Sequence, residues 1–232
     1  MSNLFKKVTS AVSVATIAAS AIGSSIVAAA SGFLPYAEAL ADAGVITKQA
    51  TEAGYRLADN ALRQEVAAMM LAINKTAKAT SCEGKYADVS ATKPNSWICG
   101  VVEAALAKGL IAANPTFRPE DKITRAEALA MILKGAGIEI PTAAKSSFND
   151  VAVAWQINVS EAALAKKIIS ANSSFRPNDP VTRGELFVMA ANAAGLEIIS
   201  DDLDLGDIFG DDTSTGSTST GSTSTGTTVV KA

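Results

Sequence analysis

The sequence predicts an all-α fold built from three repeated helix-loop-helix units. The 232-residue chain is 48% hydrophobic but only 5% aromatic, a composition that can bury one or two modest cores. Apolar residues recur at spacings of three and four, as on one face of an amphipathic helix. The same residue types also recur along the chain at fixed offsets, which indicates structural repeats that stabilise one another by packing.

Two copies of one unit align at an offset of 58 residues. The offset places Trp97, Phe117, Arg118, Pro119, Asp121, Thr124, Arg125 and Glu127 on Trp155, Phe175, Arg176, Pro177, Asp179, Thr182, Arg183 and Glu185. An offset of 62 recovers a fainter third copy, which runs from Tyr55 to Met69. The predicted units are 31–77, 82–140 and 144–197, called unit 1, unit 2 and unit 3 below.

The second helix of units 2 and 3 begins with a capping box. Thr124 stands three residues before Glu127, and Thr182 three residues before Glu185. In this motif the threonine hydroxyl accepts an amide proton of the first turn, while the glutamate accepts the threonine amide proton. Unit 1 has Leu62 in place of the threonine, so we expect a different cap there, such as Asn60.

The N-terminus has the pattern of a signal peptide over 1–30. Lys6 and Lys7 precede a charge-free stretch that ends in three alanines, which places the mature start near Ser31. The alternative is a retained transmembrane helix over 8–30, which is long enough to span a bilayer. The stretch is rich in alanine and serine and weakly apolar for a permanent span. We therefore expect export, with no stable membrane span after cleavage.

Cys82 and Cys99 are the two cysteines of the chain. An exported protein with an even number of cysteines usually pairs them, so we expect a disulfide bond that closes a loop of about 17 residues. Two separate buried thiols are the alternative. A metal site needs more ligands than two thiols, and the chain has no histidine, so no metal site is predicted.

Composition argues against several functional classes. The 20 Lys and Arg residues are balanced by 23 Asp and Glu, without a basic stretch of the kind that binds nucleic acid. The absence of histidine excludes Ser-His and Cys-His catalysis and leaves carboxylates, Lys or Tyr as catalytic groups, which disfavours an enzyme. We predict no enzyme activity and no cofactor. Residues 198–232 form an acidic, then Ser/Thr/Gly-rich tail that predicts a flexible linker. Its aspartates lack the spacing of an EF-hand calcium loop.

Four motifs recur in order in units 2 and 3. They are an aromatic-x-Asp-Val opening at Tyr86 and Phe148, a following tryptophan, a Phe-Arg-Pro-x-Asp segment and the Thr-Arg-x-Glu capping box. This ordered set resembles the S-layer homology family. The resemblance implies a pseudo-threefold helical bundle on an exported protein of the cell wall, S-layer or cell surface. It also implies grooves that bind an anionic cell-wall polysaccharide, often at pyruvylated sugars.

The chain departs from the family pattern at three places. The loop at 112–115 is shorter than the family's glycine-rich turn, Lys167 replaces the glycine found at Gly109, and unit 1 lacks the aromatic opening and the tryptophan. We expect two equivalent ligand sites instead of three, because unit 1 keeps Arg63 but lacks both the threonine cap and the tryptophan.

The candidate polysaccharide-binding residues are Arg125, Arg183, Trp97 and Trp155. An exposed first-turn arginine, together with free amides at a helix N-terminus, would make a good clamp for a carboxylate. The alternative is that each arginine pairs with an acidic side chain of a neighbouring unit. The tryptophans could stack on a sugar or belong to the core. Glu127 and Glu185 are interpreted as structural caps.

Three functional classes follow from this reading. The leading prediction is a non-enzymatic module that binds wall polysaccharide and anchors the chain to the envelope. The second is a structural subunit that assembles with copies of itself or with other surface proteins. The third, an envelope glycosidase with a carboxylate pair, is disfavoured because the repeats occupy the whole folded length.

Overall fold

The computed structural model describes residues 24–92 and 96–198, with side chains from residue 32 onward. Seven α-helices lie in this part of the chain: α1 (Ser24–Asp42), α2 (Glu52–Tyr55), α3 (Arg63–Ile73), α4 (Trp97–Ala107), α5 (Arg125–Gly135), α6 (Ala154–Ala165) and α7 (Arg183–Ala193). Three isolated bridges are the β contacts between the described residues. The prediction of an all-α fold is confirmed.

A ring of backbone hydrogen bonds joins the segments that precede α3, α5 and α7. The Ala61 amide donates to the Val181 carbonyl (2.9 Å), Val181 donates to Ile123 (3.1 Å) and Ile123 donates to Ala61 (3.1 Å). All three residues are buried. Each segment therefore donates to one neighbour and accepts from the other, which closes a ring of three segments.

The N-termini of α3, α5 and α7 are capped by loops of other units. The first amide of each helix donates to an aspartate carbonyl: Arg63 to Asp121 (3.0 Å), Arg125 to Asp179 (2.9 Å) and Arg183 to Asp59 (2.8 Å). The second amides donate to the carbonyls of Pro119, Pro177 and Leu57. Because helix-end amides need partners, each of these helices depends on the next unit to complete its first turn.

Side-chain caps complete α5 and α7. The Glu127 amide donates to Thr124 Oγ1 (3.3 Å), and Glu127 Oε2 accepts from the Thr124 amide (3.3 Å). Thr182 and Glu185 repeat this arrangement. In α3 the N-cap is Leu62, whose amide donates to Glu65 (2.9 Å). A leucine side chain accepts no hydrogen bond, so only half of the box exists, and the expectation that Asn60 caps α3 is wrong.

Two lysines occupy left-handed backbone positions where other units have glycine. Lys167 (φ 57°) follows α6 as Gly109 (φ 70°) follows α4, and Lys75 (φ 56°) follows α3 as Gly137 (φ 68°) follows α5. A residue with a Cβ is strained in this region by about 1 kcal/mol, which glycine avoids. The departure at Lys167 is therefore accommodated without a change in the turn, at a cost in stability.

Helix α1 packs against α7, and the buried side chains of the units form one core cluster. The second residue of α7 is Gly184, whereas the second residue of α5 is Ala126. A Cβ on Gly184 would lie 2.4 Å from Cδ2 of Phe33 on α1. The glycine is therefore required for the close approach of α1.

The predicted disulfide bond is confirmed: Cys82 and Cys99 are joined, with their Cα atoms 5.6 Å apart. It ties the segment before Tyr86 to α4. Residues 1–23 of the predicted signal peptide and 199–232 of the predicted tail lie outside the described residues, and α1 begins before the predicted mature start at Ser31. Among the described helices, none combines the length and apolar character needed to cross a membrane.

Candidate functional site

Three arginine–glutamate pairs connect α3, α5 and α7 in a cycle. In each helix the first residue is an arginine and the third a glutamate. Arg125 pairs with Glu185, Arg183 pairs with Glu65, and Arg63 pairs with Glu127 at 3.6 Å between Nη1 and Oε1. Each unit therefore contributes a cation to one neighbour and a carboxylate to the other.

Arg125 and Arg183 are not exposed first-turn residues, so that part of the prediction is wrong. Arg125 is 2% exposed, and the side chain of Arg183 is 17% exposed. The first amides of their helices already donate to neighbouring loops. This burial supports the alternative in which each arginine pairs with an acid of another unit, and direct contact of these two residues with a ligand stays a prediction.

Glu185 is held in its charged form at the centre of one such pair. Burial by itself raises the pKa of Glu185, but the Arg125 guanidinium, the Thr182 amide and Arg176 outweigh it and lower the pKa below its usual value. Arg176 Nη2 lies 2.9 Å from the same Oε1. One carboxylate thus caps α7 and pairs with two arginines.

A groove of about 290 Å³ brings together residues of all three units. Arg63 comes from unit 1, Phe117 and Lys134 come from unit 2, and Trp155 comes from unit 3. Its walls also include Tyr86, Asn114 and Glu127. We call this feature the open groove.

The corresponding cavity around Arg125 is nearly closed, with a volume of about 10 Å³. Its wall residue Phe148 corresponds to Tyr86 of the open groove at an offset of 62, and Asn172 and Phe175 correspond to Asn114 and Phe117 at an offset of 58. The cavity is lined by no tryptophan, because α1 packs on α7 where α6 packs on α5 and unit 1 lacks the tryptophan. Two sets of corresponding wall residues thus enclose cavities of very different volume.

Both tryptophans lie at the surface, which excludes the core alternative. Trp97 is the first residue of α4 and is 46% exposed; Trp155 is the second residue of α6 and is 44% exposed. The Lys78 ammonium lies 5.8 Å from the Trp97 ring centroid. Within residues 24–92 and 96–198, no cation covers the ring of Trp155. The two tryptophans are thus about equally exposed, and they differ in that a cation lies over the ring of Trp97.

The sequence analysis assigned no ligand site to Arg63, because unit 1 lacks its own tryptophan and threonine cap. The groove is composite, so the tryptophan that shares it with Arg63 belongs to unit 3. The Arg63 guanidinium lies 5.3 Å from the Phe117 ring centroid, and burial lowers its pKa. A signal for this role existed at the offset of 62, where Arg63 aligns with Arg125.

The charges that line the open groove are unevenly neutralised. Arg63 and Arg118 share Glu127, with Arg118 Nη2 at 3.2 Å from Oε1. Lys134 lies in the last turn of α5, is exposed, and has no ion pair in the part of the chain that the structure describes. The charge of Lys134 therefore gives this part of the groove a positive charge that no carboxylate of the described residues neutralises.

Asp88 and Asp150 shape the loops that form the groove walls. Asp88 accepts the amide protons of Phe117 (2.8 Å) and Arg118 (2.7 Å), and Asp150 does the same for Phe175 and Arg176. Both arginines have positive φ angles, 61° and 56°. Burial raises the pKa of Asp150, but these amides and the Ser174 hydroxyl outweigh it and lower the pKa. The carboxylates thus stabilise a strained turn, in keeping with their interpretation as turn caps.

Glu103 is a structural residue that sequence reasoning also missed. It is buried, and its Oε1 accepts the amide protons of Glu83 (3.1 Å) and Lys85 (3.2 Å). Its carboxylate lies within 4.8 Å of the Cys82 and Cys99 sulfurs. Because these sulfurs are bonded to each other, they are not the thiolates that a metal ion needs. We interpret the group as support for the loop that opens unit 2.

Comparison with known proteins gives independent matches for units 2 and 3. Residues 85–129 and 147–187 match the S-layer homology domain, a cell-wall anchoring module. Middle cell wall protein of Brevibacillus brevis is 26% identical over 129 residues, which cover 55% of this chain and 11% of that protein. Exoglucanase XynX of Acetivibrio thermocellus is 33% identical over 103 residues, 43% of this chain and 9% of that protein. The chain thus matches about a tenth of each relative.

Proposed function

We propose that the chain is a non-enzymatic anchoring module that binds an anionic cell-wall polysaccharide non-covalently, because residues 85–129 and 147–187 match the S-layer homology domain. The match to an exoglucanase covers only 9% of that protein, so we do not assign its enzymatic activity to this chain. A pyruvylated sugar, which the family resemblance implies, is one acidic ligand of this class.

The open groove is the observation that supports this proposal. Its volume of about 290 Å³ exceeds the 10 Å³ of its counterpart around Arg125, and it is lined by one exposed tryptophan, two buried aromatic side chains and two cations. An exposed indole offers a flat apolar surface with a polar edge, which suits the C–H face of a sugar ring. The cations supply charge-assisted hydrogen bonds to an acidic substituent.

We assign different roles to the three first-turn arginines. The Arg125 side chain is 3% exposed, and those of Arg183 and Arg63 are 17% and 19% exposed. Arg63 differs from the other two in having the longest pair, at 3.6 Å, and in lining the open groove. The proposal therefore puts one main polysaccharide site in each chain, at the junction of the three units. All three units must be folded for that site to exist.

Retention on purified cell walls tests the proposal. The parent protein should be retained, and Trp155→Ala should reduce the retained fraction about tenfold, as expected for the loss of a stacking surface worth about 1.4 kcal/mol. Val153→Ala is the matched control, because Val153 is 50% exposed on the same helix end but does not line the groove.

The Trp97→Ala variant distinguishes a single open groove from two equivalent sites. If Trp97→Ala retains binding while Trp155→Ala loses it, the single-groove proposal is supported. Equal losses would support the two-site expectation. If the parent protein is not retained, or if retention is unchanged in Trp155→Ala, the polysaccharide-binding proposal is wrong. Self-association with increasing concentration in the absence of walls would then favour a structural subunit.

A further inference from the structure

Lys134 is the cation of the open groove that no carboxylate of the described chain neutralises. Arg63, the other nearby cation from a helix, shares Glu127 with Arg118. Lys134 is exposed, lines the groove and has no hydrogen bond or ion pair within the described residues. Its ammonium is therefore available to an anionic ligand at no cost of breaking an existing pair.

The helix dipole does not by itself explain a lysine at this position. A cation in the last turn of a helix is weakly favoured by the helix dipole, which is the simplest structural role of Lys134. However, α3 and α7 have the same length of 11 residues and end in the same way. The corresponding residues are Ala72 and Asn192. Among α3, α5 and α7, only α5 carries a cation at this position, and its last turn lines the open groove.

We propose that Lys134 is the specificity-determining residue of the open groove, where it binds the anionic group of an acidic sugar whose ring lies on Trp155. This inference rests on the proposed polysaccharide-binding function and adds to it the residue that selects charge. A lysine ammonium donates charge-assisted hydrogen bonds to a carboxylate or a phosphate group. Arg63, whose charge is offset by Glu127, positions the ligand from unit 1.

Substitution of Lys134 by an uncharged residue of similar length tests this role. We compare Lys134→Gln with Lys108→Gln, a matched control in which an exposed lysine at the end of α4 lies outside the groove. The probe is polysaccharide purified from cell walls, either native, carboxyl-reduced or treated with cold hydrofluoric acid to remove phosphate. Binding is measured at two salt concentrations, because the attraction between exposed charges is screened by salt.

Lys134→Gln should bind native polysaccharide about tenfold more weakly than the parent, with a smaller salt dependence. Carboxyl reduction or dephosphorylation, whichever removes the recognised group, should weaken the parent to the level of Lys134→Gln and leave the variant almost unchanged. The treatment that has this effect identifies a carboxylate or a phosphate. Equal binding by Lys134→Gln and the parent, or equal losses of both on removal of the acidic group, would overturn the proposal.

Trp155→Ala separates failure of this inference from failure of the proposed function. If Trp155→Ala loses binding while Lys134→Gln does not, the groove binds polysaccharide but Lys134 does not select charge. If both variants bind like the parent, both proposals are wrong. Thermal unfolding of each variant confirms that the exposed substitutions leave the fold intact.

Discussion

Arg125 on α5 and Glu185 on α7 form a buried ion pair that joins unit 2 to unit 3. Their side chains are 3% and 10% exposed. Glu185 also accepts the Thr182 amide proton at 2.9 Å, so the same carboxylate caps α7. Removal of one partner from such a pair leaves an uncompensated charge in a poorly solvated place. The pair is therefore a point where local helix capping and the packing of two units depend on each other.

Arg125→Ala should destabilise the fold by about 3 kcal/mol, because it leaves Glu185 buried with one arginine fewer. Chemical denaturation at neutral pH measures this change. Arg118→Ala is the control: Arg118 is half exposed and should contribute less than about 1 kcal/mol. A loss below about 0.5 kcal/mol for Arg125→Ala would contradict the assignment of this arginine to packing.

Acid should destabilise the protein through Glu185. Its pKa in the folded protein is lower than the reference value of 4.5, so folding favours the charged form. This contribution to stability is complete above about pH 4.5 and is lost as the pH falls through the lower pKa of the folded state. The denaturation midpoint of the parent protein should decrease as the pH is lowered from 7 to 3. The decrease should be smaller in Glu185→Gln. If the midpoint of Glu185→Gln decreases with pH as much as that of the parent, the acid sensitivity comes from other carboxylates, such as Asp150.

Features set by neighbouring residues could be predicted from the sequence, whereas those set by assembly could not. The capping box of Thr124 and Glu127 needs only four consecutive residues, and export context was enough to pair Cys82 with Cys99. The burial of Arg125 depends on Glu185, which lies 60 residues away in another unit. The open groove was missed because its walls come from all three units, so no single repeat contains the pattern.

Glycine should stabilise the protein at two lysine positions. Lys75 and Lys167 have φ angles of 56° and 57°, so Lys75→Gly and Lys167→Gly should each raise the free energy of unfolding by about 0.5 to 1 kcal/mol through relief of the left-handed strain. Lys166→Gly is the matched control, because its φ of −91° is compatible with any residue. There the added freedom of the unfolded chain should lower stability. A loss of stability in all three variants would show that the left-handed lysines are not strained.

Reduction of the disulfide bond between Cys82 and Cys99 should lower stability by about 3 kcal/mol, because it frees a loop of 17 residues in the unfolded state. The fold should persist, since Glu103 still holds the amides of Glu83 and Lys85. Circular dichroism and denaturation with and without reductant measure both effects. Loss of helical signal on reduction alone would show that unit 2 depends on the bond to fold.

The contact between Phe33 and Gly184 can be tested with a double-mutant cycle. Gly184→Ala places a Cβ 2.4 Å from Phe33 Cδ2, so α1 must move away from α7, at a cost of about 1 to 3 kcal/mol. The corresponding residue of α5 is already an alanine, Ala126, so an alanine is compatible with the first turn itself.

Phe33→Ala removes the opposing ring and should itself lower stability by about 1 to 2 kcal/mol, because the ring is only partly buried. In the double variant, the alanine Cβ meets open space, and α1 can return to α7. The double variant should therefore be more stable than the sum of the two single changes predicts, with a coupling of at least about 1 kcal/mol. Additive effects would mean that α1 does not occupy this position on α7 in solution, and that unit 1 closes the ring of units by a different contact.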